Sequence, residues 1–242
     1  MRILCMLPAG KGVYPPEAEE RRLNVMRSYA TPGTQIDAEY MPDVSGFVPW
    51  GSAAAPAGAA ERAGQLSAQL AVRAEREGYD AFCPFGGLDI GVQEARKLVK
   101  IPVVGQSEAS FLFCALLDQP FSNCVYMPGG ENRIRAVARE VGVDHLLVAI
   151  TPIGIPNSEY PQRRKELLER FVACAKEARE KGAQLVGRVA MSICPTEYSA
   201  KELSEAAGMP VLDSLACQIA MAEWWHRTGL PPSLLRIPRG GA

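Results

Sequence analysis

The chain reads as an α/β protein built from two pseudo-symmetric three-layer lobes with mostly parallel sheets and an active site at their interface. Three observations carry that expectation. Short β-branched apolar runs alternate with longer amphipathic stretches, as strands and crossover helices do in a parallel sheet. Several of the apolar runs are near-continuous, the mark of strands buried on both faces. The order helix, glycine, strand, helix, proline-strand occurs twice: Arg73–Phe82 with Lys100–Gly105, and Glu177–Val186 with Gly208–Asp213.

The strands are expected at Arg2–Leu7, Gln35–Met41, Ala81–Cys83, Val103–Gly105, Asn123–Met127, His145–Ile150, Gln184–Ile193 and Val211–Leu212. Between them helices are expected at Glu17–Tyr29, Ala59–Glu77, Gly91–Lys100, Glu108–Leu117, Asn132–Val141, Tyr160–Lys181, Ala200–Ala207 and Leu215–His226. Ser199 with Glu202 three residues on forms a capping box, and Ser107 before Glu108 reads as an N-cap with a first-turn acid. Gly78, Gly142, Gly182 and Gly208 fall where helix-ending glycines belong. The Pro-, Gly- and Ala-rich stretch 41–60 breaks the rhythm and is too long for a plain connection, so it reads as a lid or a variable surface loop. Dividing the chain between its halves gives one lobe from 1–105 plus 213–242 and a second from 106–212.

Composition removes several functions. Lys and Arg number 26 against 27 Asp and Glu, a formal net charge of -1, without the basic excess of a nucleic-acid binder. No apolar run reaches the ~20 residues of a membrane span, and the start of the chain has no signal-peptide pattern. The expected setting is the cytoplasm, where thiols stay reduced. There are seven cysteines and two histidines. His145 and His226 have no ligand-like partners and read as structural, so no metal site is expected. Phosphate-loop, dinucleotide and nucleophile-elbow motifs are absent.

The thiols separate by position. Cys5, Cys114, Cys124, Cys174 and Cys217 lie inside strands or helices and read as small core residues. Cys83 and Cys194 each end an apolar run and precede a proline. Such a proline stops a strand, and places the thiol near helix N-termini that lower its pKa. Two such thiols facing each other across a cleft suit removal of a proton from a carbon next to a carboxylate or carbonyl, with return on the other face. Thr196, beside Cys194, offers a hydroxyl and an N–H to a substrate oxygen or, equally, to its own turn. Tyr126 is read as a substrate donor or a packing residue.

The run Lys100-Ile-Pro-Val-Val-Gly-Gln-Ser-Glu-Ala-Ser with Phe121-Ser122 resembles the centre of the aspartate/glutamate/hydantoin racemase superfamily, its hydantoin-racemase branch above all. Gly86-Gly-Leu-Asp with Glu94-Ala-Arg96, Pro32-Gly-Thr, and Gly208-Met-Pro-Val-Leu-Asp213 extend the resemblance over nearly the whole chain. The resemblance implies a bilobal fold and a cofactor-independent racemase or epimerase using two cysteines, here Cys83 and Cys194, on a small anionic or carbonyl-containing substrate. It also implies a homo-oligomer. By position, Pro8 and Ala9 fall where the family holds substrate at its first strand end, Gly86 in the glycine-rich turn, and Tyr126 where a hydroxyl pair binds a substrate oxygen. Ile193-Cys194-Pro195-Thr196 departs from the family's pattern around its second cysteine, and the turn between Cys83 and Arg96 is longer. A cysteine-dependent decarboxylase, a cis–trans isomerase of a small dicarboxylic acid, and a non-catalytic bilobal binder are the alternatives.

Overall fold

The computed structural model describes residues 1–7, 16–41 and 58–231. The first sheet has the order β2-β1-β3, from β1 (Arg2–Leu7), β2 (Gln35–Tyr40) and β3 (Ala81–Pro84), all parallel. The second has the order β5-β4-β6, from β4 (Phe121–Val125), β5 (Leu147–Pro152) and β6 (Leu185–Val189), again all parallel. β3, β4 and β6 are buried along their full length, which explains why they are mostly apolar; Ser122 and Asn123 in β4 and Arg188 in β6 are the polar exceptions.

The repeat seen in the sequence is a repeat of hydrogen bonds. At the edge of the first sheet, Phe82 N donates to Pro102 O and Val104 N to Phe82 O. At the edge of the second, Val186 N donates to Pro210 O and Leu212 N to Val186 O. Val103 and Val211 therefore form single-residue parallel bridges to Phe82 and Val186, rather than the longer strands expected. Ahead of each inner strand the same turn recurs, Tyr79 N to Ala74 O and Ala183 N to Ala178 O. Gly78 and Gly182 supply its left-handed residue, at φ 79° and 95°.

Helices cover both faces of each sheet. On the first, α1 (Pro16–Ser28) and α8 (Ser214–Thr228) contribute to one apolar cluster, and α2 (Ala59–Arg76) packs with α3 (Val92–Leu98) on the other. On the second, α4 (Gln106–Leu117) packs with α5 (Glu131–Val141), and α6 (Arg164–Glu180) with α7 (Ala200–Ala207). The α4 face meets the second sheet through Phe111, whose ring lies 5.2 Å from that of Phe121. Burial of such faces, about 25 cal/mol per Å² of apolar area, is what holds the layers together.

α7 occupies the expected span because its ends are written locally: Ser199 and Glu202 close the capping box, and Gly208 ends the helix at φ 59°. α4 departs from expectation. It begins at Gln106 with Gly105 as N-cap, and the Ser107 hydroxyl donates instead to Gly87 O at 2.7 Å. α6 begins at Arg164 because Asn157–Glu159 forms a separate 3₁₀ turn. β6 stops at Val189, and the chain turns at once, Cys194 N donating to Ala190 O. Most of the 41–60 segment lies outside the described residues.

Candidate active site

Parallel strands present their carboxyl ends together, and ligands of open α/β sheets bind beyond those ends. Here the ends of β1, β3, β4 and β6 open on one cleft. The first sheet contributes Leu7 and the turn Phe85-Gly86-Gly87; the second contributes Val125–Pro128, Arg188 and Ala190–Ser192. Gln106 at the start of α4 and Arg22 of α1 complete the polar wall.

Arg188 is the least expected member. It sits in a strand buried on both sides and is only 3% exposed. It pairs in register with Asn123, and its Nη1 donates to Asn123 Oδ1 at 3.2 Å. Its guanidinium lies flat on the facing turn: a Cβ at Gly87 would stand 1.7 Å from Nη2. Glycine at 87 is what admits the arginine. Burial lowers the Arg188 pKa to about 10, opposed by the nearby Asp89 carboxylate, so the side chain stays cationic at neutral pH.

Asp89 is buried and holds a left-handed φ of 47°. Its Oδ1 accepts from Ser107 N at 2.9 Å and its Oδ2 from Glu108 N at 2.8 Å, satisfying the first amides of α4 from a separate loop. A Cβ on Gly105 would come within 2.5 Å of Oδ2, so the N-cap glycine leaves room for this carboxylate. Burial raises the Asp89 pKa to about 6, and Glu108 adds to the rise; the two amide bonds and Arg188 oppose it. Gln106 is fully buried, and neither its Nε2 nor its Oε1 has a partner among the described residues. Glu108 turns away from this cluster and makes a two-pronged pair with Arg96, at 2.9 and 2.5 Å, while Arg96 also donates to Val103 O.

The expected site residues divide. Gly86 and Tyr126 line the cleft. Pro8 and Ala9 lie outside the described residues. Thr196 is 7% exposed, in the turn after β6, and is not part of the lining. The two thiols do not meet the expectation of facing each other across the cleft: among the described residues no cysteine lines it. Pro84 does not end β3 at Cys83, because it pairs with Met6 and Phe85 N continues the ladder to Met6 O. Cys83 is thus inside the sheet, fully buried and in register with Cys5. Cys194 folds back into the core of the second lobe with Tyr160 and Leu203, at 1% exposure. Burial, with Asp213 and Glu202 nearby, pushes its thiol well above the ordinary range, so it is protonated at neutral pH.

The repeat explains the mismatch. Cys83 follows the bridged residue Phe82, and its counterpart after Val186 is Gly187, not Cys194. Carrying the same register to the cleft pairs Gly86 with Ala190, and both line it. The equivalent positions of the two lobes therefore face the cleft with almost no side chain. Sequence reading missed Arg188, Gln106 and Asp89. The available signal was an arginine within an otherwise apolar, doubly buried strand, where a charge is costly unless it has a role.

A model of the Asp/Glu/Hydantoin racemase family matches residues 34–222. A hydantoin racemase from Rhizobium meliloti is 27% identical over 186 residues, spanning 74% of this chain and 75% of the relative. An allantoin racemase structure from Klebsiella pneumoniae has a TM-score of 0.79 at 21% identity, covering 100% of this chain and 95% of its own. An arylmalonate decarboxylase structure has a TM-score of 0.61 at 14% identity, covering 95% and 94%.

Proposed function

The chain belongs to the Asp/Glu/Hydantoin racemase family and is an isomerase of the racemase type; from that premise we propose that it inverts a stereocentre next to a carboxylate or carbonyl, in a small hydantoin- or amino-acid-like substrate. The substrate lies in the cleft between a lobe of 1–105 plus 213–242 and a lobe of 106–212. The observation that carries this reading is the cleft itself. It joins the carboxyl ends of both sheets, is faced by Gly86 and Ala190 at equivalent places, and holds a buried cation in Arg188.

Removing a proton α to a carbonyl moves negative charge onto the oxygen. A fixed guanidinium in a site screened from water stabilises that charge without reorganising, and such electrostatic preorganisation is a large share of many rate enhancements. We assign proton transfer to groups on the cleft wall, where Tyr126 and Ser192 supply hydroxyls. The thiols of Cys83 and Cys194 have no part in this reading. A general acid or base must reach the proton it moves, directly or through one water.

The test is incubation of the protein with single enantiomers of hydantoins, allantoin and α-amino acids in D₂O. Loss of optical rotation together with deuterium at the stereocentre, faster than without protein, is the expected result. Stabilisation by these compounds without turnover would make the protein a binder. Release of CO₂ from a malonate-type acid without exchange would make it a decarboxylase. Either result overturns the proposal.

A further inference from the structure

The cleft has a charge asymmetry that reaches beyond the stabilisation of one developing oxyanion. Its charged wall residues among those described are both arginines, Arg22 from the first lobe and Arg188 from the second, and no acidic side chain joins them. Arg188 offers five N–H donors. Its hydrogen-bond acceptor among the described residues is Asn123 Oδ1, and its Nε has none. Asp89, the nearby counter-charge, has its oxygens engaged by the Ser107 and Glu108 amides. Beside this cluster the Gln106 amide is fully buried on the same wall, with donor and acceptor both unused.

Buried polar groups left without partners are costly. Two such side chains converging on one cleft are what a polar ligand would satisfy. A planar guanidinium fork matches the two oxygens of a carboxylate. The side-chain amide beside it can donate to the same group through Nε2 and accept an N–H through Oε1.

We infer that Arg188 and Gln106 form a recognition site for a carboxylate with an adjacent N–H, so that the substrate is an open-chain N-acylamino acid anion rather than a neutral ring. The inference rests on the racemase reading for its view of the ligand as substrate, but the binding site stands apart from turnover. Gly87 keeps the guanidinium flat against the turn, and Asp89 holds the start of α4, and with it Gln106, in place. The ligand takes the unused donors of Arg188 and both ends of the Gln106 amide, and among the described residues the wall carries no carboxylate to repel it.

N-acetylglycinate has the carboxylate and the N–H but no stereocentre, so its binding is read without catalysis. Calorimetric titration at pH 7.5 and fixed ionic strength compares it with neutral N-acetylglycinamide. The unmodified protein is expected to favour the anion by about tenfold or more. Gln106→Glu keeps the size but adds a repelling charge, and Arg188→Lys keeps the charge but loses the fork. Each is expected to weaken the anion by about tenfold, with the circular dichroism spectrum unchanged. Equal affinity of the unmodified protein for acid and amide overturns the inference, whether or not the variants fold. Unchanged affinity in both folded variants also overturns it. Binding of N-acetylglycinate with no exchange on any chiral substrate would sink the racemase reading and leave this site standing.

Discussion

The two lobes repeat one backbone pattern but furnish the cleft differently. After Phe82 the first lobe delivers Gly86 and Gly87, a turn with no side chains. After Val186 the second delivers Arg188, whose guanidinium lies on that bare turn. Their hydrogen bonds to Pro102 and Pro210 are the same. The repeat therefore fixes where the strands end, while the chemistry comes from positions at which the halves have diverged. Cys83 and Cys194, expected as one thiol from each lobe, fall at different places in the repeat, and neither lines the cleft among the described residues.

The comparison can be broken at the sheet edges first. In the first lobe the Val103 bridge is held by Arg96, which donates to Val103 O and pairs with Glu108 while itself 4% exposed. In the second lobe the equivalent Val211 bridge is held by Ser204, whose Oγ accepts from Val211 N at 2.9 Å. Arg96→Ala leaves a partly buried carboxylate without its partner and is expected to cost about 3 kcal/mol in denaturant unfolding. Ser204→Ala removes neutral hydrogen bonds and is expected to cost about 1 kcal/mol. Equal losses would mean that the edges are held by the same means.

Next in size is the contact between the lobes. Gly87→Ala puts a methyl group where Arg188 Nη2 lies, so the guanidinium must leave the turn. Displacements of about 1 Å at a reacting centre cost on the order of 100-fold, and kcat/KM is expected to fall by about that factor while the protein stays folded. Gly86→Ala strains the same turn through its left-handed φ of 123°, and a smaller loss there separates displacement of Arg188 from a general stiffening of the turn.

A smaller effect concerns pH. The Asp89 pKa is raised to about 6 by burial, above that of an exposed carboxylate. Between the ordinary carboxylate range and about pH 6 the folded protein thus binds more proton at this site than the unfolded chain does. Stability contributed by Asp89 is then present at low pH and falls as pH rises through that window. The stability difference between the parent protein and Asp89→Asn, followed by urea unfolding from pH 4 to 7, is expected to shift against the parent as pH rises and to level off above pH 6. A flat difference would show that the α4 amides and Arg188 fully offset the burial.

Much of the fold was legible because it is written locally. Ser199, Glu202 and Gly208 bound α7 to the residue, and the paired Lys100 and Gly208 segments announced the repeated edge bridges. The site was less legible because it depends on register. Cys83-Pro84 and Cys194-Pro195 both read as strand ends, whereas β3 continues through Pro84 and β6 ends before the turn that carries Cys194 inward. Gly86 and Tyr126 emerged because their neighbours resemble a known pattern, and both line the cleft. Asp89 reaches α4 through a left-handed backbone at the end of a glycine turn, a placement no periodicity announces.

The most direct test of the account is the rate of α-deuterium incorporation, on a substrate found to turn over, in Cys83→Ala, Cys194→Ala and Arg188→Lys. The thiols are buried away from the cleft, so each cysteine variant should lose about 1 kcal/mol of stability by packing and keep its exchange rate within about threefold. Arg188→Lys should slow exchange by about tenfold or more. Exchange abolished in either folded cysteine variant, with Arg188→Lys at the parent rate, would contradict it.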